Sequence, residues 1–117
     1  MKISEVAHTL GAKMLCGKKK LDEIEVDYAF GADLMSDALA FVRGRTLFLT
    51  GMVNQHTLRT ADVLDIRCIV FVRGKEVPQE IIDMADEREM VLLYTEKTLF
   101  TCCGLLYEAG LRSVARD

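Results

Sequence analysis

Little in this chain divides it. Among its 117 residues there is one proline, Pro78, and no stretch rich in Pro, Gly or Ser forms a linker, so a single domain over residues 1–117 is expected. No internal repeat suggests a solenoid or array. Long apolar runs are also missing: charges interrupt each one well before the roughly 18 residues that a helical membrane span needs. A membrane is therefore not an expected partner. The opening Met1-Lys2-Ile3-Ser4-Glu5-Val6 puts a carboxylate where a secretory signal needs an unbroken apolar core, and no small-residue cleavage site follows. A cytoplasmic location is expected. Neither sign of charge is in large excess: 15 Lys and Arg against 18 Asp and Glu leave a net charge of -3. Counterion release from a phosphate backbone would gain little from such a surface, so nucleic acid is not an expected partner either.

The residues that usually carry catalysis are equally sparse. Only two histidines are present, His8 and His56, and the four cysteines Cys16, Cys68, Cys102 and Cys103 include no CxxC pair, so neither a metal nor another cofactor is expected. Their apolar neighbours mark the thiols as reduced core positions. A phosphate-cradling loop needs GxxxxGK[ST] between a strand and a helix. The nearest string, Gly11 to Gly17, has five intervening residues and no Ser or Thr after Lys18. GxGxxG, GxSxG and HExxH are absent as well, which removes the main support for kinase, dehydrogenase, hydrolase and zincin readings.

What is present is the composition of an ordered domain, 50% hydrophobic and 28% charged, enough to bury a core that offsets chain ordering. Ser4 is expected to cap a helix through Leu10 that stops at Gly11. Lys13–Cys16 reads as a short strand, Gly17–Lys20 as a solvated turn, and Ile24–Tyr28 as an alternating strand pairing with the first as a ribbon. Asp33 caps a helix over Leu34–Val42, and Thr46–Thr50 is the unbroken apolar run of a strand buried on both faces. Asn54 caps the next helix, with Leu58, Ala61, Val63 and Leu64 inward, and Cys68–Val72 is the strongest strand of the sequence. Pro78 suits a first helical turn leading to about Glu89. Val91–Tyr94 is the next strand, and Thr95 is expected to cap a last helix with Leu99, Cys102, Cys103, Leu106 and Tyr107 inward.

Short strands alternating with helices require crossover connections. The expected fold is thus α/β, a mainly parallel sheet of about four to five strands with helices on its faces. Ligands of such sheets gather beyond the carboxyl ends of the strands, where helix N-termini present unpaired amides. The sequence places Thr50, Gly51 and Asn54 after one strand, Arg73 and Gly74 after the next, and Thr95 and Thr98 after the last, a set suited to an anion or a nucleotide phosphate. Each of these also reads as the cap or turn residue that its helix requires. Asp33 and Asp37, four apart on one helical face, would suit a cation or a ribose hydroxyl, or else a cap and a solvated carboxylate. His56 falls in a first helical turn, where the dipole disfavours imidazolium, and reads as an exposed residue.

The order of these segments resembles the DRTGG domain, in particular small stand-alone bacterial members. The resemblance rests on Tyr28–Asp37, which ends in the pair Ser36-Asp37, on Leu47-Phe48-Leu49-Thr50-Gly51, on Cys68–Pro78, and on Val91–Thr95 followed by Thr98-Leu99-Phe100. Related domains accompany CBS domains in regulated pyrophosphatases, occur in phosphotransacetylases, and resemble the non-catalytic N-terminal domain of HPr kinase/phosphorylase. The resemblance implies a non-enzymatic regulatory or ligand-sensing domain that binds a nucleotide or other anionic metabolite. Together with the strand-end and helix-face readings, the candidate contacts are Asp33, Ser36, Asp37, Thr50, Gly51, Asn54, Arg73, Gly74, Thr95 and Thr98. It also implies a homodimer, in keeping with a high apolar content for so small a body. The alternatives are an accessory scaffold bound to a protein partner in a metabolic or redox complex, or a phosphotransfer enzyme holding a metal-phosphate substrate on Asp33, Asp37 and Thr50.

Overall fold

Three adjacent strands are buried on both faces, and their side-chain alternation sorts the core into two halves. The computed structural model of the chain describes residues 1–33 and 44–114. Its helices are α1 (Ile3–Leu10), α2 (Gln55–Val63), α3 (Gln79–Glu87) and α4 (Leu99–Glu108). Its strands are β1 (Lys13–Cys16), β2 (Tyr28–Gly31), β3 (Thr46–Thr50), β4 (Cys68–Phe71), β5 (Val91–Tyr94) and β6 (Arg112–Ser113). They form one six-stranded sheet in the order β1-β5-β4-β3-β2-β6. All neighbours are parallel except β1 and β5. The α/β, mainly parallel fold expected from the sequence is the one observed.

In β3, β4 and β5 the register aligns Leu47 with Cys68 and Cys68 with Val91, and the next residues align Phe48 with Ile69 and Ile69 with Leu92. Because side chains alternate along a strand, these two rows point to opposite faces. Leu47, Leu49, Cys68, Val70, Val91 and Leu93 pack with α1 and α4 through Ile3, Val6, Leu10, Cys102 and Leu106. Phe48, Ile69, Phe71 and Leu92 pack with α2 and α3 through Leu58, Ala61, Ile81 and Ala85. Two-sided burial explains why these strands read as unbroken apolar runs. Phe48, with no exposed surface, lies against Phe30 at a ring separation of 6.0 Å.

Several expectations are corrected. The ribbon does not form: β1 pairs antiparallel with β5, and of the Ile24–Tyr28 run Glu25 makes only an isolated bridge to Lys2. The alternation there has another cause, because Glu25 and Asp27 both face the Arg45 guanidinium, at 3.3 and 2.8 Å. The strand begins instead at Tyr28. A sixth strand, β6, escaped notice because two residues carry no periodic signal. Ser4 lies inside α1, whose first turn is closed by the Lys2 amide donating to Glu5 Oε1 at 3.1 Å. Pro78 stands one position before α3 rather than in its first turn, and Val63 and Tyr107 point outward, 83% and 61% exposed. The helix expected over Leu34–Val42 lies outside the described residues.

The turn after β1 needs a glycine. Gly17 has φ +89°, and a Cβ there would come within 2.7 Å of Val91 Cγ2 and 2.9 Å of Val91 Cα, so the chain passes too close to β5 for a side chain. At the same end β1 is irregular, its register against β5 slipping between Met14 and Cys16.

Truncating Phe48 to alanine is expected to cost roughly 3–5 kcal/mol, the usual range for a buried phenylalanine. Val63→Ala should stay within about 0.5 kcal/mol, as for an exposed position. Urea unfolding of the two variants beside the parent chain measures both.

Candidate functional site

The crossovers after β4 and β5 leave the sheet on opposite faces, since α3 belongs to one half of the core and α4 to the other. The turns that follow these two strands therefore part at a topological switch point, the place where open parallel sheets hold ligands. Here the parting is bridged. The Arg73 amide donates to Lys97 O at 2.8 Å, and the Gly74 amide donates to Thr95 O at 3.0 Å. Both residues adopt left-handed backbone, φ +68° for Arg73 and +65° for Gly74. Such a conformation is uncommon for a side chain like arginine, and the two amide bonds hold it in place.

That backbone sends the Arg73 side chain back across β3. Its guanidinium Nη2 lies 3.6 Å from Asp33 Oδ2, and the two side chains are 44% and 45% exposed. Asp33 follows β2, so the ion pair spans from the β4 turn to the β2 turn. Gly51, just after β3, lies beneath it: a Cβ at that position would run into the guanidinium. The Gly51 amide donates to Asp33 Oδ1 at 3.1 Å. One carboxylate thus binds an amide with one oxygen and a guanidinium with the other, and glycine leaves the room for this.

The remaining candidates divide by their hydrogen bonds. Asn54 Oδ1 accepts from the Thr57 amide at 2.8 Å and caps α2 as expected. Thr98, rather than Thr95, caps α4, its Oγ1 accepting from the Thr101 amide at 3.3 Å. Thr50 Oγ1 accepts from the Met52 amide at 3.1 Å, and Thr95 Oγ1 from the Lys97 amide at 3.2 Å. Both threonines are buried, so these hydroxyls shape the turns after β3 and β5. Such local side-chain to backbone bonds are the ordinary use of threonine at a turn. Asp33, Gly51 and Arg73 are brought into one cluster, with Gly74 and Thr95 joined to it through the Arg73 backbone. Ser36 and Asp37 lie outside the described residues. Two basic residues beside the cluster, Lys75 and Lys97, are exposed on the same turns. Neither was among the candidates, although Lys97 stands two residues after Thr95, whose hydroxyl accepts its amide as that of Thr50 accepts the Met52 amide.

The larger concavities lie elsewhere. A groove of about 870 Å³ runs between the β1 end, the Lys18–Lys20 turn and α3, beside the amino end of β5. Its walls oppose Lys18 and Lys20 to Asp83, Asp86 and Glu89, and it contains none of the candidate residues. A smaller one of about 300 Å³ lies between β2, β6 and α4. Volume alone does not favour the rim. Convergence of an exposed guanidinium and the turns after β2, β3 and β4 at the carboxyl rim does.

A model of the DRTGG domain matches residues 5–109. The chain belongs to the DRTGG domain family. No curated protein sequence matches it. Among solved structures, it is similar to the CBS and DRTGG domains of the regulatory region of Clostridium perfringens pyrophosphatase, crystallised with the activator diadenosine tetraphosphate, with a TM-score of 0.70 and 15% identity. The match covers 90% of this chain and 45% of that one, so the DRTGG domain here spans under half the length of that regulatory chain. At this identity the likeness concerns the fold.

Among the described residues, no group of three or more His, Cys, Asp or Glu is arranged to hold a metal ion. All four cysteines are free. Burial pushes the Cys68 thiol far up and the Cys102 thiol up to about 11, the latter helped by neighbouring Cys103 and opposed by Lys97. Burial also raises Cys16 and Cys103. Protonated thiols are poor nucleophiles and poor metal ligands.

An unfolded thiol ionises near pH 8.5, whereas Cys68 and Cys102 keep their protons in the folded state to higher pH. Their contribution to stability is complete below pH 8.5 and is lost as pH rises toward 11. Urea midpoints are expected to fall between pH 8.5 and 10.5, and to fall less in Cys68→Ala relative to its own value at pH 7. Thiol titration of the native protein at pH 7.5 should be slow at all four positions and become rapid on denaturation.

Proposed function

We propose that this DRTGG domain is a non-enzymatic regulatory module that senses an anionic metabolite, a nucleotide above all, and that Arg73 receives its phosphate. The observation that carries this reading is the exposed Arg73–Asp33 pair at the carboxyl rim of the sheet, anchored on the β4 turn beside the switch point. A half-exposed ion pair is worth at most about 1 kcal/mol. A phosphate held by two charge-assisted hydrogen bonds from a guanidinium offers about 1.5–3 kcal/mol per bond. Exchange of Asp33 for a phosphate oxygen is therefore favourable once Lys75, Lys97 and the first turn of α4 add their positive field. The nucleotide activator of the pyrophosphatase regulatory region supports the choice of ligand class.

Exchange also explains how binding would be reported. Asp33 holds the Gly51 amide as well as Arg73, so withdrawing Arg73 changes the charge beside the turn that joins β3 to α2. The phosphotransfer alternative is less well served, because the Thr50 hydroxyl that it requires is buried and accepts the Met52 amide.

Thermal denaturation with AMP, ADP, ATP and diadenosine tetraphosphate tests the reading. A ligand at 100 times its dissociation constant adds about 2.7 kcal/mol of stability, a shift of several degrees. Calorimetric titration of Arg73→Ala should show affinity weakened roughly 10- to 100-fold, since 1.4 kcal/mol corresponds to tenfold. Asp33→Asn keeps an oxygen for the Gly51 amide but releases Arg73, and should bind several-fold more tightly. Absence of any shift with the parent chain, or unchanged affinity in Arg73→Ala, would refute the assignment.

A further inference from the structure

The irregularity in β1 and the glycine after it build a groove at the end of the sheet away from Arg73. Met14 and Cys16 stand opposite consecutive residues of β5, Leu93 and Leu92, so Leu15 is the extra residue of a bulge. Bulges re-aim side chains. Leu15 and Cys16, neighbours that regular alternation would send to opposite faces, both pack on the α3 side of the sheet. With Ile82 and the buried Met90 they form the floor of the groove. Gly17 holds the following turn against β5, and Lys18, Lys19 and Lys20 stand along one bank. Asp83 and Asp86 of α3, with Glu89 beyond its end, form the other. One contact crosses between the banks, Lys20 Nζ to Glu89 Oε1 at 3.8 Å, and the glutamate side chain is 75% exposed. Among the described residues, no ion pair engages Lys18, Lys19 or Asp86. The field of the acidic bank reaches the floor: burial chiefly raises the Cys16 thiol, and the Asp86 carboxylate adds to the rise.

We propose that this groove is a second binding site, for a short free peptide with apolar side chains that lies across it as a zwitterion. Its ammonium end rests on Asp83 and Asp86, its carboxylate end on Lys18 and Lys19, and its side chains on the floor. The opposed banks select this class. A polyphosphate that suited the lysines would meet the carboxylates of α3, and a polyamine that suited the carboxylates would meet the lysines, since like charges brought together are repelled. A single amino acid carries its two charges on adjacent groups and reaches one bank at a time. Three extended residues span about 10 Å, and the groove, at about 870 Å³, is of the size that takes a ligand of several residues. The methionine in the floor adapts to apolar side chains of different shape. An exposed bridge such as Lys20–Glu89 is worth at most about 1 kcal/mol, so it yields readily to the ligand's own charges. The site lies at the amino end of β5, across the sheet from the carboxyl rim, and rests on nothing assigned to Arg73.

Titration of the isotope-labelled chain with trileucine, followed by amide chemical shifts, tests it. Shifts are expected at Leu15, Cys16, Ile82 and Met90, and they should persist in Arg73→Ala. N-acetylated trileucine and trileucine amide, each lacking one terminal charge, should bind roughly two- to fivefold more weakly, the worth of one exposed ion pair. Asp86→Asn should weaken the free peptide and leave the acetylated one unchanged. The double variant Lys18→Gln, Lys19→Gln should do the same for the amide. All three positions are exposed, so the variants should keep the circular dichroism of the parent chain. No shift in the groove at millimolar trileucine would overturn the proposal. So would doubly capped trileucine binding as well as the free peptide, which would mark the groove as a place for an internal segment of another protein, or caps that weaken binding equally in the parent chain and the variants.

Discussion

The constraint on which the rest depends is that the central strands have no solvent side. Once β3, β4 and β5 lie parallel and in register, each needs apolar cover above and below. The chain meets this by sending α2 and α3 to one face and α1 and α4 to the other. The return of α4 to the opposite face is also what creates the switch point. Packing and the location of the candidate site are thus consequences of the same two-sided burial.

The rim of the sheet shows how far polar groups at strand ends are committed to the fold before any ligand arrives. Thr50 and Thr95 fold their hydroxyls back on amides two residues ahead, and Asn54 and Thr98 close the first turns of α2 and α4. Arg73 differs because its backbone is fixed by two amide bonds while its side chain rests on a half-exposed carboxylate. A rigid base with a displaceable head is a sensible arrangement for a group that must change partners.

The sequence made the interior strands legible because their signal is strong. Thr46–Thr50 and Val91–Tyr94 are observed at the bounds expected, and Cys68–Phe71 differs by one residue. Where the reading failed, a tertiary partner had overridden local pattern. Glu25 and Asp27 alternate with apolar residues because Arg45 draws both to one side, and that arginine lies eighteen or more residues away. Likewise Thr95 and Thr98 are equally good caps by composition, and only the course of the turn decides between them. For the rim, the sequence supplied the correct strand ends, but the contact between Asp33 and Arg73 joins turns that follow different strands and leaves no local trace. Gly51 held the one clue, a glycine where a side chain would have blocked the arginine.

The two borders of the sheet are blunted in different ways. On one side β6 is only two residues long, and on the other β1 breaks step with its neighbour between Met14 and Cys16. Unpaired backbone along a straight border invites strands from other molecules, and shortness or a bulge discourages them. A body closed laterally in this manner resists open-ended fibrous growth.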